Sequence, residues 1–298
     1  MKKIIGTFIA VLISQIALSQ DYLSEFEKYY KTKDTINQLK VLTKWRSEKP
    51  NDPELYTNYF NYHFIQSRKE VLRMSKEKRK GEGFILKDSL NQTAGFLGSE
   101  IHYNQTALKK GFQIIEQGIE LYPNRLDMRF GKIYALGEIF DWENFTLEIV
   151  KTVRHSSTNN NRWTWTNNTA YAGTKKEFLL DIQTYQLQLY NTGTDRLLKN
   201  MREIANEILK HYPNHVESLS NISITYIITG ELDKGIKSLL KAEKIAPKDY
   251  IILANIANGY KLKGEKAKAI KYYEKTIKHG DERTKEFAKQ QILKLKKH

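Results

Sequence analysis

A repeat with a period of 34 residues in the C-terminal third of the chain limits the fold more than any other feature. Gly230 and Gly264 are 34 residues apart. Other pairs with the same spacing are Asn221 and Asn255, Ile222 and Ile256, Tyr226 and Tyr260, Ile236 and Ile270, and Pro213 and Pro247. A fixed period of this length is typical of stacked helical hairpins, because one hairpin cannot bury its apolar stripe alone. The period therefore predicts an all-α fold.

Glycine and proline mark where the helices of each hairpin should end. Gly230 and Gly264 stand at the ends of first helices, where a positive φ is often needed. Pro213 and Pro247 follow second helices, because proline cannot continue a helix. The positions where the two helices of a hairpin should approach closely carry small residues, namely Ser223, Gly235, Ala257 and Ala269.

These residues resemble the tetratricopeptide repeat (TPR) over 216–249 and 250–283. The resemblance implies a TPR-like α-solenoid of helical hairpins, with irregular repeats over 20–215 and a C-terminal cap helix over 284–298. We expect one domain over 20–298. The positions that match the family pattern are Leu219 and Leu253, Ile222 and Ile256, Ser223 and Ala257, Tyr226 and Tyr260, Gly235 and Ala269, and Leu239 and Tyr273.

Upstream of residue 216 the repeat is degenerate. The segment 111–153 still alternates between helical patterns around Pro123, but Pro123 and Pro213 are 90 residues apart, which is not a multiple of 34. Two insertions explain the loss of register, one near 66–104 and one at 156–174.

The first twenty residues, MKKIIGTFIAVLISQIALSQ, have the pattern of a secretory signal peptide. A positive start precedes an apolar run, and Ala17, Leu18 and Ser19 place small residues before a cut at Gln20. We therefore predict a signal peptide over 1–19, a periplasmic or secreted product, and no transmembrane span in the mature chain. With no cysteine, the chain has neither disulfides nor a lipid-modified cysteine.

The chain is basic, with a formal charge of +15 that is concentrated at the C-terminus. Residues 261–298 carry thirteen Lys and Arg against five Asp and Glu, a net charge of +8. A solvated, lysine-rich helix face is the favoured interpretation. Acidic partners of an exported protein would be lipid phosphates, anionic glycans or acidic protein surfaces rather than nucleic acid.

Motifs for catalysis or metal binding are missing from the sequence. It contains no His-Glu-x-x-His, no nucleophile elbow and no phosphate-binding glycine loop. His211 and His215 have the spacing of two helical metal ligands, but Pro213 lies between them. We therefore predict a protein that is not an enzyme, with no catalytic residue, no metal site and no cofactor.

Asn221 and Asn255 occupy the repeat position that faces the concave groove in the TPR family, and Asn258 lies in the same groove. In peptide-binding members, an asparagine there holds the ligand backbone or a terminal carboxylate, since an amide both donates and accepts. A carboxylate clamp also needs basic residues, which are missing from Ser220, Ile224, Ile251 and Ala254. Peptide binding and an asparagine without a role remain equally supported.

The insertion SSTNNNRWTWTNNTAYAGT (156–174) contains two of the four tryptophans. An extended backbone would place Trp163 and Trp165 on one side, where exposed indoles could stack on sugars or grip a peptide. The favoured alternative is that the loop folds back and buries them, because large aromatic residues in loops usually anchor the loop. Arg125, Asp127, Arg129 and Lys132 raise a similar choice between an anion site and a structural ion network, and the network is favoured.

We predict from these features a non-enzymatic scaffold that binds a protein or peptide in the bacterial cell envelope. Its candidate ligand-binding residues are Trp163, Trp165, Asn221, Asn255 and Asn258. The alternative function is an envelope carbohydrate-binding protein that uses the tryptophans of 156–174. The sequence does not specify an oligomeric state.

Export can be tested by the mass of the mature protein. We expect cleavage after Ser19, which leaves Gln20 as the first residue, because small residues follow the apolar run there. Intact-mass analysis of protein exported by its native host checks the cut. Retention of residues 1–19 would contradict the predicted localisation.

Overall fold

A computed structural model describes residues 22–77 and 83–297 and divides the chain into two compact units. The first unit contains the described residues up to Ala135 together with Trp163–Tyr171. The second contains Leu136–Arg162 and the residues from Ala172 onward. The signal peptide predicted over 1–19 lies outside the described residues.

Packed helices form most of the first unit, and three of them have a side-chain cap at the N-terminus. Trp45 and Leu42 are fully buried in a cluster with Phe26 and Leu55, which joins the first three helices. Asp52 caps the third helix and also accepts a hydrogen bond from the Trp45 indole at 3.0 Å, so one carboxylate fixes both elements. The helices are α1 (22–31), α2 (Thr35–Glu48), α3 (Pro53–Ser67), α4 (Gln105–Leu121) and α5 (Leu126–Glu138), the last of which ends in the second unit.

The insertion near 66–104 forms a three-stranded antiparallel sheet, which the sequence analysis did not anticipate. Its strands are β1 (Arg68–Ser75), β2 (Gly83–Lys87) and β3 (Thr93–Tyr103), in the order β1-β3-β2. Met74 and Phe84 both pair with Leu97 and therefore share one face of the sheet, where both are at least 70% exposed. Strand propensity depends on such cross-strand neighbours, so these short segments give a weak signal in the sequence.

The second unit contains the two regular hairpins and the helix that follows them. Its helices are α6 (Trp142–Thr158), α7 (Lys175–Asn191), α8 (Leu198–His211), α9 (Val216–Ile228), α10 (Leu232–Ile245), α11 (Tyr250–Leu262), α12 (Lys266–His279) and α13 (Glu282–Lys297). Thus α9 and α10 form the repeat at 216–249, α11 and α12 form the repeat at 250–283, and α13 is the cap helix. The predicted all-α, TPR-like solenoid class is confirmed, with the small sheet as an addition.

Apolar residues spaced for a helix face form the core of these repeats. Leu219, Leu239 and Ile252 come from three consecutive helices and pack in one cluster with Ala242 and Ile256. Residue 235 is glycine because a Cβ at this position would lie only 2.8 Å from the Ile227 side chain. Close packing therefore explains the small residues of the repeat.

The cap helix covers the end of this core. Ala288 is fully buried in a cluster with Ala257 and Tyr273, and Ile292 and Leu295 pack against the cluster. The helix thus protects the last hairpin from solvent, as terminal elements of repeat arrays do.

Four hairpin turns share one helix-ending geometry. In each turn, a residue with positive φ is followed by one whose N–H donates to the carbonyl five residues earlier, as in the Schellman motif. The residues with positive φ are Lys33 (58°), Phe140 (59°), Gly230 (78°) and Gly264 (81°). Glycine adopts this conformation freely, whereas a side chain there costs roughly 1–2 kcal/mol.

Within 22–77 and 83–297, no helix has both the length and the apolar character that crossing a bilayer requires.

The register of the last repeat can be tested with two alanines of α12. Ala269 is fully buried, whereas Ala267 is exposed on the same helix. We expect Ala269→Trp to lower the free energy of unfolding by roughly 1–3 kcal/mol through overpacking, and Ala267→Trp to change it little. Urea unfolding measures both, and equal shifts of the midpoint would contradict the assigned helix face.

Candidate functional site

The loop with the two candidate tryptophans is attached to the first unit by backbone hydrogen bonds. Thr164 donates from its N–H to the carbonyl of Asn124 at 2.9 Å and accepts from the N–H of Leu126 at 3.0 Å. The pairing gives the segment a short, strand-like course, and Trp165 has the extended φ of −125°. The backbone is therefore extended at this point.

The two indoles do not form an exposed pair. Trp163 is only 4% exposed, and Trp165 is partly buried against Phe130 and Tyr171, whose ring centroids lie 6.4 and 5.6 Å away. The hypothesis of two exposed indoles is therefore wrong for Trp163. The physical reason is that the bridging strand draws the loop onto the helices, where burying a large aromatic group is favourable.

A buried arginine connects this loop to two helices of the first unit. Arg125 is 1% exposed and donates to Glu54 at 2.7 Å and to both carboxylate oxygens of Asp127 at 2.8 Å. Glu54 also accepts from the backbone N–H of Asn167 at 2.7 Å, and Arg125 contacts the Asn168 side chain at 3.4 Å. One guanidinium therefore joins α3, the start of α5 and the loop.

The opposite charges of this cluster pair with one another within the fold. Burial alone would lower the pKa of Arg125, but the hydrogen bonds and charges of Asp127 and Glu54 outweigh burial and raise the pKa above its usual value. The guanidinium stays charged and faces two carboxylates, which disfavours an added anion. The structure thus shows the ion network that the sequence analysis favoured; nearby, Lys132 pairs with Glu116 at 2.9 Å.

The three candidate asparagines lie in the second unit, on the first helices of the two regular hairpins. Asn221 belongs to α9, while Asn255 and Asn258 belong to α11, about one turn apart. Each side chain is partly buried. We call the surface formed by Asn221, Ile228, Ile251, Asn255, Asn258 and Leu262 the amide face; repeat spacing places Ile228 and Leu262 at matching positions.

Hydrogen bonds fix two of these asparagines and leave polar atoms of the amide face available. Asn221 donates to Gln186 at 2.8 Å and also to Gln183, both on α7. Asn255 donates to Ser220 on α9 over a long 3.4 Å. In the described part of the second unit, the Asn258 side chain makes no hydrogen bond.

Gln183 and Gln186 are parts of this arrangement that sequence reasoning missed. Gln186 is fully buried, and its amide nitrogen donates to the carbonyl of Met201 at 2.9 Å, so its remaining oxygen can hold Asn221. The two glutamines are three residues apart and therefore share a helix face, which was a usable signal. The signal was missed because α7 lies in a degenerate repeat, where no register relates it to α9.

Apolar side chains accompany the amides on this face. Ile228 is 45% exposed, Ile251 56% and Leu262 52%. Glu217, which has the repeat position of Ile251, is a charged neighbour. Its carboxylate pairs with His215 at 3.2 Å. Positions 220, 221, 224, 254, 255 and 258 are uncharged, so the carboxylate clamp that needs basic residues is not formed by them.

The histidines considered as metal ligands have separate partners. His211 contacts Glu207 at 3.0 Å, and His215 contacts Ser218 at 2.8 Å. Burial lowers the pKa of His215 despite the opposing effect of Glu217. Among the described residues, no group of three His, Cys, Asp or Glu side chains is placed to hold a metal ion.

Comparison with known proteins agrees with the repeat architecture. The tetratricopeptide repeat family model matches residues 216–249. The chain therefore contains a tetratricopeptide repeat, and the predicted resemblance to TPR proteins is confirmed. No curated protein matches the sequence.

Several solved structures resemble the chain at low identity. YrrB, a TPR protein with an unusual peptide-binding site, is 14% identical, with 84% of this chain and 97% of that chain covered and a TM-score of 0.41. A TPR protein from Parabacteroides merdae is 13% identical over 88% of this chain and 80% of its own, with a TM-score of 0.36. MamA is 14% identical, with 59% of this chain and 90% of the MamA chain covered and a TM-score of 0.38.

The role of Arg125 can be tested against an exposed arginine. Arg125→Met would leave Glu54 and Asp127 as buried carboxylates without a counterion, which should cost roughly 3–5 kcal/mol of stability. Arg154 also binds a carboxylate, Glu207, at 3.0 Å, but is 57% exposed, so Arg154→Met should have little effect. Urea unfolding followed by circular dichroism compares them. An unfolding midpoint that Arg125→Met leaves unchanged would contradict the structural role.

Proposed function

We propose that the chain is a non-enzymatic scaffold that binds a protein or peptide partner on the amide face of its second unit. The observation that carries the proposal is the side-chain amide of Asn258, which is partly exposed and makes no hydrogen bond in the described part of the second unit. Ile251 and Leu262 lie on the same side of α11 and are exposed. A peptide in extended form offers backbone N–H and carbonyl groups together with apolar side chains. Asparagine amides can bind the backbone groups, since they both donate and accept hydrogen bonds. Isoleucine and leucine can contact the apolar side chains of the peptide.

The amide face is also held in place before a partner arrives. Asn221 is oriented by two glutamines, and Asn255 is oriented by Ser220. All these residues are carried by packed helices rather than by loops. Such preorganisation lowers the entropy that binding must offset, which favours recognition over nonspecific adhesion.

We place this scaffold in the bacterial cell envelope, as a periplasmic or secreted protein. The support is the sequence of residues 1–19, with its positive start, apolar run and small residues before Gln20. The basic C-terminal segment fits a solvated helix face, since Lys285 pairs with Glu282 and the lysines near the end of α13 are exposed. Nucleic acid is not part of the proposal.

The carbohydrate-binding alternative depended on a pair of exposed indoles in 156–174. With Trp163 buried, that pair cannot form a sugar platform, and Trp165 already packs against two aromatic rings. We therefore favour the amide face over this insertion as the ligand surface of the scaffold.

The proposal can be tested with peptides selected from a phage library of random 12-residue sequences. We expect wild-type protein to select peptides that Asn255→Ala/Asn258→Ala binds about 5- to 150-fold more weakly, because two hydrogen bonds of ~0.5–1.5 kcal/mol each are lost. Asn214→Ala, which removes an exposed amide in the preceding loop, is the matched control. Affinity measured by calorimetry decides the comparison.

Two results would contradict the proposal. One is the failure of the wild type to enrich any peptide family over several rounds. The other is equal binding of the selected peptides by the wild type and the double variant when both have the same melting temperature.

A further inference from the structure

An exposed aromatic residue occupies a turn position that is conformationally unsuited to it. Phe140 has a φ of 59°, which strains a residue with a side chain. Its side chain is 73% exposed, so the ring does not fill the core. The same position holds glycine in the two regular hairpins, at 230 and 264, and lysine at 33. A strained residue that packing does not require is a reason to look for a function at that point.

Phe140 lies at the edge of a cleft between the N-terminal ends of α6 and α8. The cleft has a volume of about 640 Å³, which is in the range of small-ligand sites. All its lining residues belong to the second unit. The ones that the argument uses are Phe140, Trp142, Glu143, Arg196, Lys199 and Glu203.

The aromatic wall of the cleft is rigid. Phe140 and Trp142 have ring centroids 5.8 Å apart and planes tilted by 60°. Trp142 rests edge-on against the buried ring of Phe145, 5.4 Å away. Asp141 between them caps α6 by accepting from the backbone and side-chain N–H groups of Asn144. The turn therefore presents two fixed aromatic faces.

The polar lining offers both donors and acceptors. It has three carboxylates, Asp141, Glu143 and Glu203, against two cations, Arg196 and Lys199, a net charge of −1. Asp141 is already bound to Asn144, whereas the other four form no ion pair in the described part of the chain. Asn200 uses its amide nitrogen on the Trp142 carbonyl at 3.2 Å and on Thr146 at 2.9 Å, which leaves its oxygen as an acceptor.

We propose that this cleft binds a neutral oligosaccharide. A sugar ring presents apolar C–H faces that can stack on Phe140 and Trp142, and its hydroxyls both donate and accept, as the mixed lining requires. An anionic ligand would meet three carboxylates, and an apolar ligand would bury unpaired charges. The site is separate from the amide face and does not depend on the proposed scaffold function.

The matched test uses the two non-glycine residues of the equivalent turns. Phe140→Gly removes the ring and gives the turn the residue that its regular counterparts have, so the fold should be kept. Lys33→Gly makes the same change in a turn of the first unit that does not line the cleft. Phe140→Tyr keeps an aromatic ring at the same position.

The probe is an array printed with defined neutral and uronic-acid-containing oligosaccharides and with an octaproline peptide. We expect the wild type, Lys33→Gly and Phe140→Tyr to bind a neutral oligosaccharide, and Phe140→Gly to bind it at least tenfold more weakly. Melting temperatures of both glycine variants should equal or exceed that of the wild type.

Several outcomes would overturn the proposal. They are no binding of the wild type to any neutral oligosaccharide, binding to acidic oligosaccharides or to octaproline alone, and equal binding by Phe140→Gly and the wild type. A fall in affinity for Lys33→Gly as large as for Phe140→Gly would also overturn it, since the effect would then not come from the cleft.

Discussion

The second unit depends on the fact that a single helical hairpin cannot bury its own apolar stripe. Leu219, Leu239 and Ile252 belong to three consecutive helices, and each is shielded from water only when the next hairpin is in place. The small residue at 235 allows the close approach that this packing needs. Once the helices stack, their spacing, the position of the turns and the need for a cap helix follow.

The first unit depends on a different constraint, the buried charge of Arg125. A guanidinium withdrawn from water is tolerated only with counterions, and Glu54 and Asp127 provide them at 2.7 and 2.8 Å. Because Glu54 also binds the backbone of Asn167, the ion cluster fixes the loop that carries the tryptophans. Trp163 is consequently part of the interior rather than a ligand contact.

Packing requirements also separate residues that hold the fold from residues available for binding. The sides of α9 and α11 that pack in the repeat core are filled by leucine, isoleucine and alanine, whereas Asn258 and Ile251 are not used in that core. Gly230 and Gly264 end their helices without strain, whereas Phe140 bears strain with its ring in solvent. Packing in the repeat core therefore does not account for Asn258, Ile251 or the exposed ring of Phe140.

Local periodicity, with glycine and proline at helix ends, is enough to predict the regular repeats, their turns and the cap helix. The same periodicity assigns Asn221, Asn255 and Asn258 to their helices. Tertiary packing, in contrast, sets the burial of Trp163, the contact of Asn221 with α7 and the pairing of β1 with β3. Glu54 and Arg125 are 71 residues apart. Such pairings depend on how degenerate segments pack over long distances, and no local pattern in the chain encodes that packing.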